Sequence, residues 1–175
     1  MKTLVVDRRI ANDDGFLHFY HQENEIFENH NYYWYEDPTE DKLQLIPWDL
    51  DNSFENLIQN LNPVTPIRDK WYKTSNECNG FSYGSFSLLQ KSAACDKIIG
   101  SYVDFTDRYY ELDTIFKNEL FNMSNINLLL NEWSSQIESE VERANQIFGE
   151  EEPNLKFWQE SVNYLKYSIS ESLKQ

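Results

Sequence analysis

At 175 residues the chain is long enough for one domain with a real hydrophobic core. An apolar content of 40%, with five Trp, 11 Tyr and 11 Phe, excludes intrinsic disorder. The net charge of −15 argues against nucleic acid or an anionic membrane as partner, since phosphates would be repelled.

The start of the chain, Met1 to Asp7, carries too short an apolar run for a signal peptide. No run approaches the length needed to span a bilayer, and the compartment stays open. Residues 3 to 11 read as a short helix, with Leu4, Val5 and Ile10 inward and Asp7, Arg8 and Arg9 outward. Asn12-Asp13-Asp14-Gly15 ends it, because Asn and Asp bond locally to backbone and Gly permits unusual dihedrals. A compact apolar segment, residues 16 to 20, precedes a polar loop from 21 to 29.

Residues 30 to 54 predict a β-hairpin. Residues 32 to 35 are aromatic and strand-prone, and 43 to 46 form a second apolar run. Asp37-Pro38-Thr39-Glu40-Asp41 between them has the chemistry of a chain reversal. Asn52-Ser53 then offers an N-cap for a helix to Leu61, with Phe54, Leu57, Ile58 and Leu61 on its buried side. Residues 62 to 92 look irregular, punctuated by Pro63, Pro66, Gly80 and Gly84. Trp71, Tyr72, Phe81, Tyr83 and Phe86 should pin them down as an ordered covering loop.

Three helices follow. The first carries Ile98, Tyr102, Phe105, Tyr109, Leu112 and Phe116 on one face. Ser124 caps the second, whose stripe is Ile126, Leu130, Trp133, Ile137, Val141, Ala144 and Phe148, with Gly149 as the stop. Glu150-Glu151-Glu152 and Pro153 open the third, which carries Leu155, Trp158, Val162, Leu165, Ile169 and Leu173. The expected fold is therefore α+β and mostly α: a β-hairpin carrying an acidic site, packed on an antiparallel bundle of three long helices. It should form one domain over 1–175, with a site-bearing part (1–61), the covering loop (62–94) and the bundle (95–175).

The hairpin is where chemistry concentrates. Antiparallel pairing brings Asn31, at the entrance of its first strand, to Asp49, at the exit of its second. An amide oxygen and one or two carboxylates meeting at one point are hard ligands of the kind Mg²⁺ takes. Asp51, two positions on, faces the same way as Asp49 on extended chain. Taken alone, each residue has a plainer reading: Asp49 and Asp51 as turn or cap residues, Asn31 as a turn former, Asp14 as a helix terminator. His30 could contact phosphate, but a lone His is more often a structural hydrogen-bonder. His18 and His21 have no third ligand. Trp34, Tyr35 and Trp48 read as core aromatics of the hairpin, with stacking on a nucleotide base as the alternative. Cys78 and Cys95 lack the Cys-x-x-Cys spacing of a structural zinc site, and one disulfide would suit an exported chain.

Ile46-Pro47-Trp48-Asp49-Leu50-Asp51, following Asn31-Tyr32-Tyr33-Trp34-Tyr35, closely resembles the CotH family, named for a spore-coat protein and regarded as atypical protein kinases. The resemblance is strong from Val6 to about Leu57 and continues more weakly through Ala94-Cys95-Asp96 and the final helices. It implies a kinase C-lobe-like fold in which three residues match kinase parts. Asp14 matches the catalytic-loop Asp (with Asp13 as the alternative carboxylate), Asn31 its Asn, and Asp49 the metal-holding Asp. Asp51 would be a second ligand or a helix cap. The implied cofactors are Mg²⁺ or Mn²⁺ and ATP, and the implied acceptor is a protein Ser or Thr.

Kinases also need a Lys on a preceding strand and a glycine-bearing loop to clamp the phosphates. The five Gly include no Gly-x-Gly, and no Gly-Lys-Ser/Thr loop is present. Too few residues precede Asp14 for an N-terminal lobe. The chain is thus expected to be the C-terminal catalytic lobe of a longer parent, with little activity alone. The alternative is a non-catalytic spore-coat or surface interaction protein that keeps the fold, and a metal-dependent hydrolase ranks third.

Overall fold

Helix α1 (Lys2–Arg9) begins the chain in the computed structural model, which describes residues 1–21, 26–54, 80–83, 88–149 and 154–174. Leu4 and Val5 are buried as expected, yet Asp7, Arg8 and Arg9 are buried too, at 4%, 0% and 3% exposure. The outward placement expected for these three charges is therefore wrong. Each has a reason to be inside. Arg9 forms a two-pronged pair with Asp113, from Nε to Oδ1 and from Nη2 to Oδ2. The Arg8 guanidinium lies over the Tyr109 ring, 4.9 Å from its centroid. Asp7 Oδ1 accepts a hydrogen bond from Asn12 Nδ2 at 3.0 Å.

The chain forms two units, Met1–Thr114 and Ile115–Gln175. The first holds two antiparallel sheets. One has four strands in the order β2-β1-β6-β5: β1 (Phe19–His21), β2 (Phe27–Glu28), β5 (Phe81–Tyr83) and β6 (Leu88–Lys91). Register is set by Tyr20 opposite Glu28, Phe19 opposite Lys91 and Ser82 opposite Leu89. Part of the expected covering loop is thus sheet. Its strands are too short to show a period-2 pattern in the sequence.

The other sheet is the hairpin, β3 (Tyr32–Asp37) and β4 (Lys42–Pro47), paired from Tyr32 opposite Pro47 to Asp37 opposite Lys42. The reversal works as its residues suggest. Asp37 Oδ1 accepts from Thr39 N at 2.9 Å and Thr39 Oγ1 at 2.6 Å, and Asp41 takes a positive φ of 50°. Those bonds hold the Asp37 carboxyl below its ordinary pKa. Trp34, Tyr35 and Trp48 are not core aromatics, however. They are 37%, 51% and 49% exposed, as a two-stranded ribbon leaves both faces open.

Two backbone bonds fasten the chain after the hairpin to the end of α1: Phe54 N to Ile10 O at 2.7 Å and Asp13 N to Asn52 O at 3.0 Å. The helix expected from Asn52 to Leu61 falls mostly outside the described residues, as do Trp71, Tyr72 and the acidic run before Pro153.

The single helix expected to carry Ile98 to Phe116 is broken. A 3₁₀ turn at Ala93–Cys95 leads to α2 (Lys97–Gly100), capped by Asp96, whose Oδ1 accepts from Ile98 N and Ile99 N at 2.8 Å each. A second 3₁₀ stretch, Ser101–Phe105, precedes α3 (Thr106–Ile115). Each 3₁₀ residue turns about 20° further than an α-helical one, so five of them rotate the face by about a quarter turn. Tyr109 is buried in consequence, while Ile98 and Phe105 are 55% and 57% exposed.

In the second unit a π-helical stretch, Phe116–Leu120, ends with the Phe116 and Phe121 rings stacked at 5.3 Å. Helix α4 (Met123–Phe148) is capped by Asn122, whose side chain accepts from Asn125 N, and not by Ser124. Gly149, at φ 71°, ends it as expected. Asn154 caps α5 (Leu155–Leu173) through bonds from Lys156 N and Phe157 N. The two helices pack together, and Lys166 Nζ reaches Asn131 Oδ1 at 2.7 Å. Trp133 and Ile137, both on the predicted stripe, remain 52% and 47% exposed.

Candidate functional site

The loop between α1 and β1 places Asp14 where the hairpin begins and ends. Asn31 donates its side-chain N–H to Asp14 twice, to the backbone oxygen at 2.8 Å and to Oδ2 at 3.0 Å. Asn31 O in turn accepts from Trp48 N at 3.0 Å, which closes the open end of the hairpin and sets Asp49 beside it. The geometry therefore brings Asp14 and Asn31 into direct contact and ties Asp49 to both through one backbone bond. Asn31 and Asp49 both hold positive φ, 62° and 55°. Asn and Asp tolerate that region best among non-glycine residues, and such strain gathers at functional sites.

Charge converges at the same end. Asp51 holds the Asp49 carboxyl above its ordinary pKa, and the Asp14 charge adds to the effect. Asp49 and Asp51 are both exposed. Asp13, the alternative carboxylate, is fixed through its backbone: its backbone oxygen accepts from Tyr20 Oη at 2.7 Å and its N–H bonds Asn52 O at 3.0 Å. Burial pushes the Tyr20 phenol up, and the Asp14 and Asp13 charges push it further.

Two partners of Asp14 carried no such signal in the sequence. His30 Nε2 lies 2.8 Å from Oδ1, and Asn52 Nδ2 donates to Oδ2 at 3.4 Å. Alternation along extended chain would set His30 and Asn31 on opposite sides. The positive φ of Asn31 is what lets both face Asp14. His18 is fully buried against Gln90, its Nδ1 3.3 Å from Oε1, and burial pushes its pKa down to about 4. His21 lies edge-on to Phe27, 5.3 Å away.

The chain matches the family described as CotH kinase protein over residues 3–174. It belongs to the CotH kinase family. No curated protein and no solved structure matches it.

CotH kinases as a family imply ATP and a divalent metal, and the donors of this CotH chain can be weighed against that. Among the described residues no group of three or more His, Cys, Asp or Glu side chains is placed to hold a metal alone. What stands at the hairpin end is an amide oxygen and two carboxylates. Asn31 spends its N–H groups on Asp14, which leaves its Oδ1 as the remaining donor atom. Asp49 and Asp51 repel each other as neighbouring anions, a cost that a cation between them would relieve. This set fits Mg²⁺, which takes one or two carboxylates and completes its shell with waters and phosphate oxygens. Elsewhere in the CotH chain Cys95 is disulfide-bonded.

Proposed function

We propose that this chain is the catalytic lobe of a CotH-type phosphotransferase that moves the terminal phosphoryl group of ATP to a protein Ser or Thr. Asp14 accepts the hydrogen bond of the acceptor hydroxyl and takes its proton as the oxygen attacks. Asn31, Asp49 and Asp51 hold Mg²⁺ or Mn²⁺, with Asn31 also fixing Asp14. A cation held there would offset the charge that builds on the transferred phosphoryl group. Tyr33 and Trp48, stacked at 6.0 Å and both exposed beside Asp49, offer a flat surface for the base. The order of loop, hairpin and metal aspartate is that of a kinase C-lobe.

The observation that supports this most is the bonded path from Asp14 through Asn31 to the Trp48 backbone, which gathers the candidate base and the metal aspartate. The test incubates the full-length protein with γ-labelled ATP and Mg²⁺. Protein Ser or Thr should be labelled, and Asp14→Asn and Asp49→Ala should each cut labelling by about 100-fold or more. Labelling that survives both substitutions contradicts the reading.

A second reading, a non-catalytic coat or surface interaction protein, draws on one observation: Tyr33, Tyr35 and Leu43 are 61%, 51% and 60% exposed on the hairpin. A wild-type protein that labels nothing would favour it.

A further inference from the structure

We propose that His30 is the positioning residue for Asp14, an inference that rests on the phosphotransferase reading. Asp14 sits in an irregular loop, and its carboxylate turns on two single bonds. Asn31 and Asn52 both hold one oxygen, Oδ2, at 3.0 and 3.4 Å. Those two amide donors by themselves leave the carboxyl room to swing about that oxygen, and the Tyr20 phenol also hydrogen-bonds Asp14. His30 Nε2, 2.8 Å from Oδ1, grips the other oxygen and removes that freedom.

The imidazole is itself supported, although its side chain is 47% exposed. It lies against the Tyr20 ring at 5.6 Å. Tyr20 is fixed from both sides, by its bond to Asp13 O at 2.7 Å and by the stacked His18 ring at 6.0 Å. A ladder of three rings thus runs from the buried end of the four-stranded sheet to the carboxylate. A residue held in one geometry by such a supporting layer reacts faster than one that samples several.

Three substitutions separate the contact from the packing. His30→Ala removes both. His30→Phe keeps a ring against Tyr20 but has no N–H, and His30→Gln supplies an amide N–H at similar reach. His30→Ala and His30→Phe should each lower kcat for transfer from ATP by about tenfold with KM for ATP within about twofold, and His30→Gln should recover most of the loss. A His30→Phe protein as fast as wild type overturns the proposal, as does a change confined to KM.

A measurement independent of turnover is the long-range ¹H–¹⁵N spectrum of the histidine side chains. The Nε2 signal of His30 should move in Asp14→Asn, and a signal indifferent to that change also overturns the proposal. A chain that transfers no phosphate yet shows the Asp14-dependent signal supports the contact and retires the transfer reading alone.

Discussion

Arg9 and Asp113, 104 residues apart, bury their charges against each other at 3% and 6% side-chain exposure. Removing one partner of such a pair leaves the other charge poorly compensated. Asp113→Ala should therefore cost about 3–5 kcal/mol in urea unfolding, whereas a loss under about 1 kcal/mol would show the pair to be incidental. Asp7 and His18 give the pH dependence. Burial raises the Asp7 pKa from 3.8 to about 7, so its contribution is full below 3.8 and is lost as pH rises to about 7. Burial lowers the His18 pKa from 6.5 to about 4, so its contribution is full above 6.5 and is lost as pH falls to about 4. Between about 4 and 6.5 the two oppose each other. In Asp7→Asn only the histidine slope remains, and stability should fall with acid across that window more steeply than in wild type. An unchanged profile from urea unfolding at several pH values contradicts the Asp7 assignment. The meeting of the Asn31 and Asp49 segments could be read from the sequence because a hairpin joins its own ends, whereas Asp14 lies outside the hairpin and was named only through the family resemblance. The Arg9 pair could not be read, since no local pattern announces a partner on a helix a hundred residues away.

The same limit acts on whole elements. The hairpin was legible from residues 32–35 and 43–46 because its strands are adjacent in sequence and joined by strong turn chemistry. The four-stranded sheet was not: β1 and β6 are three and four residues long and pair across some seventy positions. The long terminal helices showed their periodicity, but the cap of α4 is Asn122, two residues before the expected Ser124, and the cap of α5, Asn154, was not named from the sequence. Close packing also hides in short loops. A Cβ on Gly15 would run into Asn12 Nδ2 and Asp7 Oδ1, the two atoms that bond each other at the end of α1. Asp14 N leans on Asn12 Oδ1 at 3.3 Å, so the disturbance reaches the site. Gly15→Ala should destabilise by about 1–3 kcal/mol in thermal unfolding and lower transfer at the same time. A variant as stable as wild type would mean that the loop relaxes freely.

At the scale of the whole molecule, the acidic surface and the site are separate matters. A net charge of −15 supplies many carboxylates that could attract a cation loosely, including Glu138, Glu140 and Glu142 along α4. One place should differ on the proposed reading, the end of the hairpin, where the bond from Trp48 N to Asn31 O sets Asn31 beside the segment that carries Asp49 and Asp51. Paramagnetic broadening by Mn²⁺ of the ¹⁵N-labelled chain distinguishes the two directly. Selective loss of backbone signals around residues 14, 31, 49 and 51, abolished by Asp49→Ala, is the predicted result. Broadening centred on α4, or unchanged in Asp49→Ala, would contradict it.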